Sequence, residues 1–206
     1  MKIITISREF GSGGRELGKR LADALGFQYY DREILTILAE ETALDENYIE
    51  NILENRTTSS IFSITTGRTF SMLPVMGTDQ NAELLSKQTG LIKSLAARSD
   101  CVIVGRNADV ILADERPLRI FVHADMEARI ARCRRRETED RNLTDKAFEK
   151  KIRQIDKQRA KTHALLSSGE WGASSDYELC LNTTQIDIKD LVDVVELFAE
   201  KWFEGE

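Results

Sequence analysis

A short β-branched run at residues 2–6 leads into three closely spaced glycines, Gly11, Gly13 and Gly14, and then into an amphipathic segment. This succession constrains the chain more than any other feature. Ile3, Ile4, Thr5 and Ile6 favour extended backbone. Leu17, Leu21, Ala24 and Leu25 recur at three and four residues, which predicts a helix ended by Gly26. A chain that passes from strand to helix through glycines turns tightly and aims several backbone N–H groups at one point. The helix adds the positive end of its dipole. The loop is therefore a candidate phosphate cradle; the plain alternative is a strand-to-helix turn.

The rest of the chain repeats this alternation. Residues 27–30 predict a second short strand, and residues 33–54 predict two helices, with Asp45 as N-cap of the second. Residues 101–105, 120–122 and 179–181 are continuous apolar runs suited to strands buried on both faces. Helices are predicted over 82–98, around Arg129–Arg136, over about 144–166 and over about 187–203. In the last, Ile188, Leu191, Val192, Val195, Phe198, Ala199 and Trp202 form a stripe read as core packing. Strands alternating with helices imply a parallel sheet covered on both faces, with ligands at the carboxyl ends of the strands. Residues 55–81 break the pattern. Ten of these 27 positions are Ser or Thr, so the segment reads as a long loop, either functional or a solvated insertion. Within it, Phe70–Met76 reads either as a cover over a small molecule or as a contact between copies of the chain.

At 206 residues the chain is expected to form one domain. Its net charge of −6 argues against a nucleic-acid-coating surface. The three cysteines, Cys101, Cys133 and Cys180, are too far apart for a zinc motif, and reduced thiols are expected. The N-terminal apolar run is too short for a signal peptide, and no stretch approaches the ~20 apolar residues of a membrane span. The expectation is a soluble, cytoplasmic protein without membrane or nucleic-acid partners.

The acidic total conceals a local excess of positive charge. Residues 129–141 hold six arginines, and Arg129, Arg132 and Arg136 share one helical face. Forked guanidiniums suit phosphate oxygens, although pairing with Glu137, Glu139 and Asp140 is the alternative. Arg153, Asp156 and Arg159 recur on one face of the following helix. Asp31 follows a strand and reads either as a ligand-edge carboxylate or as a helix N-cap. Asp109 reads as near the site or simply exposed, His123 and His163 as isolated, and Cys133 as a spectator thiol. Set on GxxxxGK[ST] with Gly14-Arg15 at the GK pair, the loop carries Glu9 at the first glycine. Arg15 then stands for lysine and Glu16 for the metal-binding hydroxyl.

Four stretches carry a family resemblance. ITISREFGSGGRELGKRLADALGFQYYDREIL resembles the opening of the cytidylate kinase-like family of P-loop proteins. CVIVGRNADVIL resembles its Gly-Arg segment, RIFVHADMEARIARCRRRE the strand and Arg-rich helix before the lid, and DYELCLNTTQIDIKDLVDVV the last strand and helix. The resemblance covers about residues 1–36, 101–137 and 176–203. It implies an α/β nucleoside monophosphate kinase fold: a parallel five-stranded sheet, helices on both faces and an Arg-rich lid. The acceptor-binding region with its variable insert would span about 33–98 and the lid about 129–167.

The resemblance further implies ATP- and Mg²⁺-dependent phosphoryl transfer to a nucleoside monophosphate, CMP or dCMP first. Gly11, Ser12, Gly13, Gly14, Arg15 and Glu16 would form the donor phosphate loop, with Glu16 a candidate metal ligand. Asp31, Arg32 and Arg106 would hold the acceptor, and Arg15, Arg129, Arg132 and Arg159 would neutralise the transferring group. Val104 and Asn107 stand where cytidylate kinases carry acidic residues. Those departures motivate two alternatives: a non-catalytic nucleotide-binding regulator, and a P-loop kinase for another small-molecule acceptor.

Overall fold

The computed structural model describes residues 1–55, 78–136 and 144–205. The Phe70–Met76 stretch, the Arg136 side chain, Arg141 and its acidic neighbours at 137–140 lie outside the described residues. Five strands form one parallel sheet in the order β2-β3-β1-β4-β5: β1 Ile3–Arg8, β2 Gln28–Tyr30, β3 Cys101–Val104, β4 Leu118–His123 and β5 Leu179–Asn182. The helices are α1 Gly14–Leu25, α2 Glu33–Thr42, α3 Glu46–Asn55, α4 Thr78–Arg98, α5 Ala108–Ile111, α6 Met126–Arg136, α7 Asp145–Ala164 and α8 Ile188–Glu204. Helix α4 begins at Thr78, four residues before the apolar pattern resumes at Ala82.

Strand β1 lies at the centre, flanked by β3 and β4, so its alternate side chains face two different cores. Ile4 and Ile6 join Val102, Val104, Ile120 and Val122 beneath α1 and α8. Ile3 joins Cys101 and Ile103 on the opposite face, beneath α2, α3 and α4. Burial on both faces explains why these strands read as continuous apolar runs. Asp45 caps α3 by accepting from the N–H groups of Asn47 (2.9 Å) and Tyr48 (3.2 Å). Gly26 ends α1 in the left-handed region, donating its N–H to Ala22.

The α8 stripe is core packing at Ile188, Leu191, Val192, Val195 and Ala199, but Phe198 lies on an exposed flank with Val194 and Leu197. The sheet covers only part of that apolar arc. The cysteines are free, Cys101 and Cys133 buried and Cys180 exposed. Cys133 packs with Phe148 and Ile152, so its place is in a small core between α6 and α7. No helix among the described residues is long and apolar enough to cross a membrane.

Parallel pairing puts the ends of β1, β3 and β4 along one edge. There the Gly105 N–H donates to Ile6 O and the Glu9 N–H to Val122 O, both at 3.0 Å. The turn into α1 depends on Gly13, whose φ is 93°. A Cβ at that position would collide with the Ile188 side chain at the start of α8. Gly13→Ala is expected to cost about 2–4 kcal/mol, combining left-handed strain with overpacking. Adding Ile188→Val, which removes Cδ1, should recover part of that loss in denaturant unfolding. A loss indifferent to residue 188 would contradict the packing.

Candidate active site

The loop between β1 and α1 opens at the sheet edge. Gly11 and Gly13 are both left-handed (φ 81° and 93°), and helix α1 starts at Gly14. The first N–H groups of a helix have no intrahelical acceptor and point towards whatever sits before it. Ser12 is wholly buried; its hydroxyl donates to Glu9 O (2.9 Å), which shapes the loop. Thr183, after β5, holds the loop from outside by donating its hydroxyl to Ser12 O (2.6 Å).

Four guanidiniums meet beside this loop. Arg15 pairs with the buried Asp31 (Nε–Oδ2 2.5 Å), and Arg8 approaches the same carboxylate (3.9 Å). Asp31 therefore is not the N-cap of α2: Arg32 occupies that position, and the Asp31 side chain turns instead to the arginines. Arg106 reaches Glu50 of α3 (3.6 Å), which also pairs with Arg32 (3.5 Å), so one carboxylate brings the two acceptor candidates together. Arg159 of α7 donates to Arg8 O (2.9 Å) and lies over the Phe10 ring. Burial lowers the Arg8 pKa; Arg159 lowers it, Asp31 opposes, and Arg106 and Arg15 lower it further. Such crowding of like charge favours a bound anion.

Gly105, Arg106 and Asn107 are all left-handed, with φ of 75°, 58° and 53°. For the two non-glycine residues this conformation costs energy that the surroundings must hold in place. It folds the chain after β3 back on itself and buries the Arg106 side chain, 8% exposed, in the wall of a cavity of about 290 Å³. Arg8, Arg159, Asn107, Gln154, Gln158 and Trp171 also line it. A second groove of about 370 Å³ lies between α1, α6 and the start of α8, lined by Glu16, Arg20, Arg132, Arg135, Asp187 and Lys189.

Of the arginines expected at a lid, Arg129 is 4% exposed. It donates to Phe10 O (2.7 Å), pairs with Glu9 (3.2 Å) and forms a very close ion pair with Asp156. The other Asp156 oxygen accepts the Phe10 N–H (2.7 Å). Arg132 bonds the Thr183 hydroxyl (3.2 Å) and its carbonyl. Both arginines thus brace the loop and its neighbour, whereas Arg159 lines the cavity.

At the cavity wall, which Ser7 lines, lies a buried polar cluster of which sequence reading offered Asp109 alone, as one of two alternatives. Asp109 is 5% exposed, not a surface residue, and His163 is 3% exposed, not isolated. Ser7 donates to Asp109 Oδ2 (3.0 Å), Tyr177 donates to it (3.3 Å), and His163 Nε2 lies 3.7 Å away. Burial, then Asp109, pushes the Tyr177 phenol above its usual range, so it remains a donor. The cluster joins β1, α5, α7 and the segment before β5. Its members are up to 170 residues apart in sequence, from Ser7 to Tyr177, so no local spacing signals them. Arg8 could have been flagged by position: it ends the central strand at the ligand edge.

Among the described residues no group of three or more His, Cys, Asp or Glu is placed to hold a metal ion. A Mg²⁺ carried on nucleotide phosphates needs only one or two protein carboxylates. Glu16, the candidate, pairs with Arg20 (3.1 Å) on α1.

A parallel sheet in this order, with a glycine loop leading from its central strand into α1, defines a protein of P-loop kinase fold. The chain belongs to the cytidylate kinase-like family, whose model matches residues 3–185. Among solved structures it is similar to an uncharacterized protein from Eubacterium ventriosum ATCC 27560, at 23% identity over 97% of this chain and 99% of that one, TM-score 0.67. It is also similar to shikimate kinase from Bacteroides thetaiotaomicron, at 14% identity over 97% and 98% of the two chains, TM-score 0.57. A gluconokinase from Sinorhizobium meliloti 1021 matches at 13% identity over 99% and 94%, TM-score 0.55. At these identities the likeness is one of fold. No curated protein matches the chain.

Arg129→Ala would leave the Glu9 and Asp156 carboxylates without their buried cation, and is expected to cost about 3–5 kcal/mol. The exposed Arg135→Ala should stay within about 0.5 kcal/mol of wild type. Urea unfolding of both variants checks this; equal stabilities would remove Arg129 from the loop's support.

Proposed function

We propose that the chain transfers the terminal phosphoryl group of ATP to a nucleoside monophosphate, with CMP and dCMP the first candidates. The observation that carries this reading is the cavity beside the glycine loop. Arg8, Arg106 and Arg159 supply cationic groups, while Asn107, Gln154 and Gln158 offer amide donors and acceptors. Guanidiniums suit a phosphate; amides and the Trp171 ring suit a base edge and face.

Family and fold add the kinase character. In this reading Gly11–Arg15 hold the donor phosphates through backbone N–H groups, and the cationic groove beside Arg132 receives the nucleoside end of the donor. Mg²⁺ would offset negative charge on the phosphates, with Glu16 as its protein ligand once released from Arg20. Arg106 and Arg32 hold the acceptor phosphate, and their shared partner Glu50 keeps both side chains extended before it arrives. The acceptor oxygen belongs to a phosphate that is already largely ionised at neutral pH, so no strong general base is required. Positioning and charge neutralisation supply the catalysis.

A coupled assay with ATP and Mg²⁺ against CMP, dCMP, UMP and AMP tests the reading, with shikimate and gluconate as further arms. Turnover is expected with a pyrimidine monophosphate. Arg106→Ala should raise the acceptor KM about tenfold or more, from loss of a charged hydrogen bond, while the ATP KM changes little. Turnover confined to a non-nucleotide acceptor would reassign the cavity. Tight ATP binding without any turnover would make the protein a nucleotide-binding regulator.

A further inference from the structure

The candidate phosphate loop lacks a lysine, and the start of α1 fixes where the motif's lysine would fall. In GxxxxGK[ST] the lysine directly follows the glycine at the head of the helix. That glycine is Gly13, the left-handed N-cap, and the first helical residue is Gly14. The lysine position is therefore Gly14, one residue earlier than the sequence match suggests, and it carries no side chain. Arg15 falls at the hydroxyl position, and its guanidinium is engaged with Asp31 at 2.5 Å. Counting back five residues from Gly13, the motif's first glycine is replaced by Arg8. Glycine and cation have exchanged ends of the loop.

The packing shows that the exchange is concerted. A Cβ placed on Gly14 would lie 2.7 Å from Arg8 Cβ and 3.1 Å from Arg8 Cγ. The stem of Arg8 thus fills the space that the stem of a lysine at position 14 would need. From there the guanidinium runs to Gly105, where a Cβ would lie 2.6 Å from Arg8 Cζ and overlap Nη1. Gly105 is held to glycine by its φ of 75°, and the guanidinium of Arg8 packs against the face that carries no Cβ. The Arg8 side chain is 16% exposed. It roots beside the donor loop and lines the acceptor cavity with Arg106 and Arg159.

We propose that Arg8 is the catalytic cation of this loop, contacting the phosphoryl group in transit in place of the missing lysine. This inference rests on the kinase reading above. In the step it assists, the bond between the γ-phosphorus and the bridging oxygen breaks and its electron pair leaves on ADP. A new bond forms from the acceptor phosphate oxygen to the γ-phosphorus. Charge spread over the oxygens of the transferred group is what a planar, permanently charged guanidinium neutralises.

The test compares wild type, Arg8→Ala, Arg8→Lys, Gly14→Lys and the double variant Arg8→Gly/Gly14→Lys. Two readouts are used: turnover, and calorimetric affinities for ATP and for adenosine, which carries no phosphate. Arg8→Ala is expected to lower kcat about a thousandfold and to weaken ATP about tenfold or more, with adenosine unchanged. Gly14→Lys alone should be as poor, because its side chain collides with Arg8. The double variant, which restores the lysine and removes the Arg8 stem, leaving only Val122 Cβ to give way slightly, should regain at least about a tenth of wild-type turnover and most of the ATP affinity. Arg8→Lys should fall between Arg8→Ala and wild type. Retention of kcat and ATP affinity within about threefold in Arg8→Ala would overturn the assignment, as would weakening of ATP and adenosine alike. A folded double variant no better than either single variant would also overturn it. Wild type that binds ATP but phosphorylates nothing overturns the kinase reading instead, while the ATP-to-adenosine affinity ratio still tests Arg8.

Discussion

Positive charge is gathered around Arg8 in excess of the carboxylates beside it, and the layout of the site follows from that imbalance. Arg8, Arg15, Arg106 and Arg159 come from β1, α1, the turn after β3 and α7, and the carboxylates paired with them are Asp31, Glu50, which Arg32 shares, and Asp156, which Arg129 shares. A cluster of this kind is stable in water only because its members are partly compensated, and it becomes most stable when an anion enters. The sheet makes the gathering possible. With β1 central and every strand parallel, the ends of β1 and β3 open side by side, and a residue following either faces the same place.

Helix α7 ties the two halves of the site together. Asp156 takes the Phe10 N–H of the loop and pairs with Arg129, while one turn on Arg159 bonds Arg8 O. The same helix contributes Gln154, Gln158 and Arg159 to the cavity. Its far end is anchored by His163 at the buried Asp109–Ser7–Tyr177 cluster. A displacement of α7 on acceptor binding would therefore be felt at the loop's own backbone. That connection suits an enzyme that must align two phosphates before reacting.

Much of this was legible in the sequence. Strands buried on both faces must be apolar throughout, which is why residues 101–105 and 120–122 stood out, within or beside β3 and β4. The glycine loop announced itself because only glycine tolerates the left-handed positions that the turn requires. What failed to show were the interactions between distant residues. Asp31 before a helix looks like a cap, and nothing local reveals that Arg15 and Arg8 compete for its carboxylate. Asp109 and His163 lie 54 positions apart and meet only through the fold. Arg8 was hidden by register: matching on residue type aligns Arg15 with lysine, whereas the start of the helix aligns Gly14 with it. Phe198 continues the α8 stripe in sequence, but the stripe is wider than the sheet beneath it.

A crystal structure with a bisubstrate analogue, adenosine and cytidine joined through five phosphates, tests the central claim most directly. The account predicts that the phosphate chain runs from the Gly11–Arg15 loop to Arg106, with the Arg8 guanidinium on the phosphorus between the two ends. A chain bound away from the loop, or one that leaves Arg8 turned to Asp31 with no phosphate contact, would contradict it.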